Sequence, residues 1–161
     1  MARIPVTGIL LAGGASSRFG SPKELAQYDG EPLGDRAWRL LGEACDERIR
    51  VGPGGLDDPH TGPVAAIAAG LRAASHEIAV VIPVDMPRLT VAALHELAAA
   101  CRDAAVVQQG PLPCAVARRA LSAFETDERR LRAVLDGLDT AEIELDPVLL
   151  LNVNTPADVE L

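Results

Sequence analysis

The 161-residue sequence predicts an α/β fold, a single-domain three-layer α/β/α sandwich with a mostly parallel, Rossmann-like sheet. Short apolar runs alternate with segments of helical periodicity, which is the pattern of parallel strands joined by crossover helices. The run at 78–84 is apolar throughout, as expected for a central strand buried on both faces. The sequence contains no internal repeat, low-complexity tract or linker, so residues 1–161 are predicted to form one domain.

The first half of the chain predicts two strand–helix units. The apolar run at 7–11 predicts the first strand, and a turn at 29–32 precedes a helix at 35–44 in which apolar residues recur at helical spacing. A short strand at 48–51 ends at a glycine-rich loop. The pair Gly62-Pro63 then opens the next helix, because proline suits the first helical position.

The second half continues the alternation. After the strand at 78–84, Thr90 is positioned to cap a helix that runs to residue 101. The remaining predicted elements are strands at 104–108 and 113–117, helices at 118–124 and 127–138, strands at 142–145 and 149–153, and a last turn of helix beginning at 152–158.

Composition excludes several classes of function. The chain carries a net charge of −8 and only 2% aromatic residues, so it has neither the basic surface nor the stacking residues that nucleic-acid binding requires. No apolar run approaches the ~20 residues of a membrane span, and no leader precedes the first strand, so a cytoplasmic protein without membrane contact is predicted. Three scattered cysteines predict packed, free thiols rather than disulfides or a zinc site.

The loop that follows the first strand predicts an anion-binding site. After Leu11 and Ala12, the chain runs through Gly13-Gly14 and then supplies Arg18 and Lys23. Small residues allow a tight turn with exposed N–H groups, but neither the P-loop pattern nor the dinucleotide pattern fits, so the two cations must carry much of the recognition. Lys23 is the only lysine among 15 basic residues, which favours a chemical role over a chance position.

Asp85 directly follows the most apolar predicted strand. Because the carboxyl ends of parallel strands lie at one edge of a sheet, Asp85 and the glycine-rich loop are predicted to share that edge. A carboxylate beside phosphates is a natural ligand of Mg²⁺. The alternative is that Asp85 caps a turn or a helix before Pro87.

Five motifs in this order resemble the MobA-like nucleotidyltransferases over nearly the whole chain. They are Leu11-Ala12-Gly13-Gly14 with Arg18, Gly20 and Lys23, then Gly62-Pro63-Val64-Ala65-Ala66-Ile67, Pro83-Val84-Asp85-Met86-Pro87, Pro111-Leu112-Pro113 and Asn152-Val153-Asn154-Thr155-Pro156. The resemblance implies a fold of the nucleotide-diphospho-sugar transferase type. It also implies a Mg²⁺-dependent transfer of GMP from GTP onto the terminal phosphate of molybdopterin, with release of pyrophosphate.

The resemblance also implies roles for individual residues. Arg18, Lys23 and Asp85 are the catalytic candidates, in which Arg18 and the backbone of Gly13 and Gly14 hold the β- and γ-phosphates, Lys23 the α-phosphate and Asp85 the metal. Leu11, Ala12, Asp57, Gly62 and Pro63 complete the nucleotide-binding set, and Asn152 and Asn154 are assigned to the acceptor. An Asx turn or N-cap of the last helix is the alternative role for the two asparagines.

Gly13-Gly14 favours guanine over cytosine because a small residue leaves room for a purine. Three features depart from the family pattern: the short segment at 52–61, Glu24 beside Lys23, and the end at Leu161 within a helix. Two alternatives therefore stand, a cytidylyl- or sugar-phosphate nucleotidyltransferase and a non-catalytic nucleotide-binding accessory protein. The expected partners are GTP and molybdopterin, and we expect a monomer or weak homo-oligomer with transient contacts to other cofactor-biosynthesis proteins.

Overall fold

The computed structural model describes residues 4–12, 25–59 and 61–153 of the chain. Eight strands and five α-helices lie in these ranges. The strands are β1 (Val6–Leu11), β2 (Gln27–Tyr28), β3 (Glu31–Pro32), β4 (Glu47–Val51), β5 (Ile78–Pro83), β6 (Ala104–Val107), β7 (Gly110–Ala117) and β8 (Thr140–Ile143). The helices are α1 (Leu33–Ala44), α2 (Pro63–Ala73), α3 (Val91–Ala100), α4 (Leu121–Phe124) and α5 (Leu131–Asp136).

Six strands form one sheet in the order β4-β1-β5-β7-β6-β8. Strands β4, β1 and β5 pair in parallel, as do β6 and β8, whereas β7 runs antiparallel to both of its neighbours. The prediction of a mostly parallel sheet is therefore confirmed. Leu11 is in register with Val51 on one side and with Pro83 on the other, so β4, β1 and β5 end at the same level.

Helices cover both faces of the sheet. Successive side chains of a strand point to opposite faces, so Ile9 packs into one apolar core beneath α2 and α5 while Leu10 packs into a second core beneath α1 and α3. Both side chains are 0% exposed. The three-layer arrangement predicted from the strand–helix alternation is confirmed. Within the described ranges, no helix is both long enough and apolar enough to cross a membrane.

Strands β2 and β3 form a separate two-stranded hairpin between β1 and α1. Its turn is Asp29-Gly30, in which both residues have positive φ angles, 51° and 78°. Asp-Gly is the preferred sequence for such a two-residue turn. The sequence predicted a turn here, and the structure adds the strand on each side.

Three predicted elements near the C-terminus are wrong in type or length. Residues 149–153 do not form a strand, because Pro147–Leu150 is a 3₁₀ helix in which the Asp146 carboxylate accepts a hydrogen bond of 3.0 Å from the Val148 N–H. The helix predicted at 127–138 begins only at Leu131. The Glu128 side chain accepts a 2.9 Å bond from the Arg130 N–H and so holds the preceding segment out of the helix. The strand predicted at 142–145 lies at Thr140–Ile143.

Candidate active site at the carboxyl edge of the sheet

The candidate site is the edge where β4, β1 and β5 end. Ala12, the residue after β1, is 2% exposed and donates its N–H to the Val51 carbonyl at 2.9 Å. This bond holds the chain against β4 at the point where it leaves the sheet. The loop predicted to bind phosphate therefore starts from a fixed position at the centre of the edge.

The loop itself lies outside the described residues. Gly13, Gly14, Arg18 and Lys23 all fall there, so their assignment to the phosphates stays a prediction. The described chain resumes at Leu25, immediately before the β2–β3 hairpin. Leu11 and Ala12 at one end and this hairpin at the other thus define where the loop leaves and rejoins the fold.

Asp85 lies at the same edge, in the turn that follows β5. Asp85 is half-buried, and its carbonyl oxygen accepts a 2.8 Å hydrogen bond from the N–H of Val153. Thr90, rather than Asp85, caps the next helix, because its hydroxyl accepts the Ala93 N–H at 3.1 Å. The capping alternative for α3 is therefore excluded, and Asp85 keeps its place beside the strand end.

The bond to Val153 brings one of the two predicted acceptor residues, Asn152, toward Asp85. Asn152 is exposed and directly precedes Val153, whose N–H donates to the Asp85 carbonyl oxygen. Asn154 lies outside the described residues. The structure thus brings Asp85 and Asn152 together at one edge, although they are far apart in sequence.

Gly62 and Pro63 begin α2 at this edge. Gly62 has φ 104° and ψ −178°, a backbone region that is available essentially to glycine alone. Pro63 follows at the first helical position, and no side chain caps the helix. The first N–H groups of α2, together with the helix dipole, favour negative charge at this point.

Asp57 lies in the loop between β4 and α2. This loop folds back on β4 through two backbone bonds of 2.8 Å, from Leu56 N–H to Arg50 and from Gly52 N–H to Leu56. Asp57 is exposed next to that fold-back and so lies on the same edge as Ala12. No contact between Asp57 and the other predicted site residues is among the described interactions.

The site is poor in groups that could form a metal cage. In the part of the chain that the structure describes, no group of three or more His, Cys, Asp or Glu side chains is placed to bind one ion. Asp85, the predicted metal ligand, lies at this edge directly after β5. Mg²⁺ is commonly bound by one or two carboxylates together with substrate phosphates and water, so a single carboxylate fits this ion when it arrives with a nucleotide.

Sequence analysis missed three residues that surround the Asp85 turn. Arg36 Nε donates to the Pro87 carbonyl at 2.8 Å, and Arg88 Nε donates to the Tyr28 hydroxyl at 2.9 Å. The Arg36 guanidinium also lies 5.2 Å from the centre of the Tyr28 ring. Arg88 directly follows the motif at 83–87, and this position was the only indication in the sequence that it lies beside Asp85. The other two residues come from β2 and α1, so no motif connects them to the turn.

Solved structures with this fold include nucleotidyl transferases. A nucleotidyl transferase from Methanothermobacter superposes with a TM-score of 0.79 at 20% identity, covering 96% of this chain and 94% of that one. Molybdopterin-guanine dinucleotide biosynthesis protein A from Archaeoglobus fulgidus superposes with a TM-score of 0.76 at 22% identity, covering 96% and 95%. The fold is thus that of a nucleotidyltransferase.

Sequence comparison identifies the family to which this chain belongs. The profile of the MobA-like NTP transferase domain matches residues 8–144. A probable molybdenum cofactor guanylyltransferase of Deinococcus radiodurans is 33% identical over 97% of this chain and 93% of its own length. A molybdenum cofactor guanylyltransferase of Xanthomonas euvesicatoria is also 33% identical, over 94% and 91%. The chain belongs to the MobA-like NTP transferase family, as the sequence motifs predicted.

Proposed function

We propose that this protein is a molybdenum cofactor guanylyltransferase, which transfers GMP from GTP to the terminal phosphate of molybdopterin and releases pyrophosphate. The observation that carries the proposal is the meeting of three segments at one sheet edge. The start of the glycine-rich loop at Ala12, the carboxylate-bearing turn at Asp85 and the C-terminal segment with Asn152 all lie there. Relatives with that activity in their names align over nearly the full chain.

The reaction is a substitution at the α-phosphorus of GTP. A terminal phosphate oxygen of molybdopterin forms the new P–O bond, the bond to the β-phosphate oxygen breaks, and pyrophosphate leaves with that electron pair. The nucleophile is an ionised phosphate, so no general base is required. Catalysis then depends on holding two anions in line and stabilising the charge that develops.

This chain's own cations and amides would neutralise that charge. We assign Arg18 and the backbone of Gly13 and Gly14 to the β- and γ-phosphates, and Lys23 to the α-phosphate. The N-terminus of α2 behind Gly62 and Pro63 supplies further N–H donors on the same edge. Leu11, Ala12 and Asp57 would complete the nucleotide side of the site.

Asp85 would hold Mg²⁺. The side-chain carboxylate is the group through which it would bind the ion, because Mg²⁺ prefers hard anionic oxygen ligands. When bound, Mg²⁺ would offset phosphate charge and align the leaving group. Asn152 and Asn154 lie on the acceptor side in this proposal, next to the residue that holds the metal.

The cytoplasm is the compartment that we propose, because Cys45, Cys101 and Cys114 form no disulfide with one another in the described part of the chain. A monomer or weak homo-oligomer, with transient contacts to other cofactor-biosynthesis proteins, stays our expectation.

Nucleotide titration tests the proposal. Calorimetric titration with GTP, CTP and ATP, each with and without Mg²⁺, is expected to show selective and Mg²⁺-dependent binding of GTP. Preference for CTP would replace the guanylyltransferase with a cytidylyltransferase on the same fold. Selective GTP binding without any pyrophosphate release when molybdopterin is added would indicate the non-catalytic accessory protein instead.

A further inference from the structure

Tyr28 connects three segments that meet around the proposed metal ligand. Its side chain is 5% exposed and packs with Leu33 and Val153 in a small apolar cluster of its own. Its hydroxyl accepts the Arg88 Nε–H at 2.9 Å. Tyr28 therefore touches the start of α1, the C-terminal segment and the turn that carries Asp85.

Arg36 holds the same turn from the other side. It lies in the first turn of α1, donates Nε–H to the Pro87 carbonyl at 2.8 Å and stacks 5.2 Å from the Tyr28 ring centre. This partly buried bond joins two residues that are 51 positions apart in the sequence. The two arginines thus clamp the turn at 84–88 against the β2–β3 hairpin and α1.

A groove of about 180 Å³ that opens to solvent lies beside the turn, lined on one side by Arg36, Ala37 and Leu40 of α1 and on the other by Val84, Met86 and Pro87. Val84 and Leu89 pack into the core beneath α1 and α3, and the polar contacts of Arg36 and Arg88 add to this packing in holding the turn.

The β2–β3 hairpin is itself joined to α1, because the Ala26 carbonyl accepts the Leu33 N–H at 2.8 Å. The contacts of Tyr28 and Arg36 therefore hold the Asp85 turn against a hairpin and a helix that are bonded to each other.

We infer that Tyr28, Arg36 and Arg88 are positioning residues, which hold the turn that carries Asp85 against the β2–β3 hairpin and α1. The inference deepens the proposed function and rests on it for its kinetic consequence. These residues act through Asp85 and do not themselves touch the reacting atoms. Small displacements of such groups reduce turnover more than binding, since the transition state requires the tighter alignment.

Tyr28→Phe is the most selective variant, because it removes the hydroxyl and keeps the ring. We expect amide hydrogen exchange at 84–89 to become about three- to tenfold faster, in line with the loss of one buried hydrogen bond. We expect kcat to fall about three- to tenfold, with the KM for GTP within about twofold of the parent value. Arg36→Met should behave similarly, whereas Arg36→Lys keeps a cationic donor but loses the planar stack on Tyr28, so it should lose less kcat than Arg36→Met without matching the parent.

Arg39→Met is the matched control. Arg39 lies on the same helix and pairs with Glu31 of the hairpin at 2.9 Å, but it is half-exposed and its bonds go to Glu31 and Glu43 rather than to the turn. It should leave both the exchange at 84–89 and kcat unchanged.

Unchanged exchange at 84–89 in Tyr28→Phe, or an equal rise in Arg39→Met, would overturn the inference. A kcat loss in Arg36→Lys as large as that in Arg36→Met would overturn it as well. The exchange measurement needs no turnover. Absence of GMP transfer by the unmodified protein would therefore refute the proposed function, while faster exchange in Tyr28→Phe would still support the coupling of hairpin and turn.

Discussion

The N–H of Val153 donates a 2.8 Å hydrogen bond to the carbonyl oxygen of Asp85. This bond attaches the C-terminal segment to the turn after the central parallel strand β5. It places the exposed Asn152 next to the residue that we propose to hold the metal. A nucleotide entering from the loop after β1 and an acceptor entering from the C-terminal segment would therefore meet at Asp85.

Removing the Asp85 charge should abolish transfer without unfolding the protein. We expect Asp85→Asn to lower kcat by about 10²- to 10³-fold, the scale seen when one transition-state-stabilising group is lost. Lys23→Ala should have a similar effect. Asp85→Asn should melt within about 2 °C of the parent because the Asp85 side chain does not belong to the apolar cores, and we expect the same of Lys23→Ala because lysine is rarely buried. Asp136→Asn, an exposed change on α5, is the control, and a large drop in melting temperature for Asp85→Asn would refute its assignment to the site.

Gly62 should resist substitution for a conformational reason. Its φ of 104° is strained for any residue with a side chain, although a Cβ there would lie 3.8 Å from the nearest atom, the Arg129 carbonyl oxygen. Gly62→Ala should therefore reduce the free energy of unfolding by about 1–3 kcal/mol, measured by urea denaturation. Gly137→Ala is the matched control, because Gly137 has φ −82° and ordinary space for a Cβ. Equal losses in the two variants would contradict this explanation.

Glu47, which lies away from the candidate site, should make the free energy of unfolding depend on pH. Burial alone would raise the pKa of this carboxyl, but hydrogen bonds from the Ser75 N–H, the Thr7 hydroxyl and the Ser75 hydroxyl lower it below its usual value of 4.5. Its contribution is present above the unfolded pKa and is lost as pH falls through the lower folded pKa. Glu47→Gln should cost about 1 kcal/mol at pH 7. Thermal melts of both proteins between pH 7 and pH 3 should converge on acidification, and a constant difference would contradict the assignment.

The buried thiols should be chemically inert in the folded protein. Burial raises the pKa of Cys114 to about 12 and that of Cys101 to about 11, so few thiolates form at pH 8. Mass spectrometry after alkylation at pH 8 should find Cys114 unmodified until denaturant is added, since it is also completely buried. Labelling of Cys114 as fast as in the unfolded chain would show that the sheet opens around β7.

Much of this fold could be predicted from local sequence. The continuous apolar run of β5 and the helical spacing of α1 and α3 specify their own conformations, and the strand–helix alternation then specifies parallel pairing. The prediction of a strand at 149–153 was wrong because an apolar run alone does not distinguish a strand from a capped turn. In that stretch the Asp146 cap and Pro147 decide the conformation.

The candidate site was only partly predictable for a related reason. Asp85 could be placed at the sheet edge from the strand order, and the family resemblance assigned Asn152 to the acceptor. Tyr28, Arg36 and Arg88 could not, because their contacts join β2, α1 and the β5 turn across long separations. Single-sequence periodicity carries no information about such pairs. The predicted roles of Arg18, Lys23 and Asn154 stay predictions, since these residues lie outside the described ranges.

A label-transfer experiment tests GMP transfer itself. The protein would be incubated with molybdopterin, Mg²⁺ and GTP labelled at either the α- or the γ-phosphate, and the products would be separated. We expect the α-label to enter a guanylated pterin product and the γ-label to appear in pyrophosphate, with both reduced about 10²- to 10³-fold in Asp85→Asn. Release of the γ-label as inorganic phosphate, with no α-label in a pterin product, would show that the protein is not a guanylyltransferase.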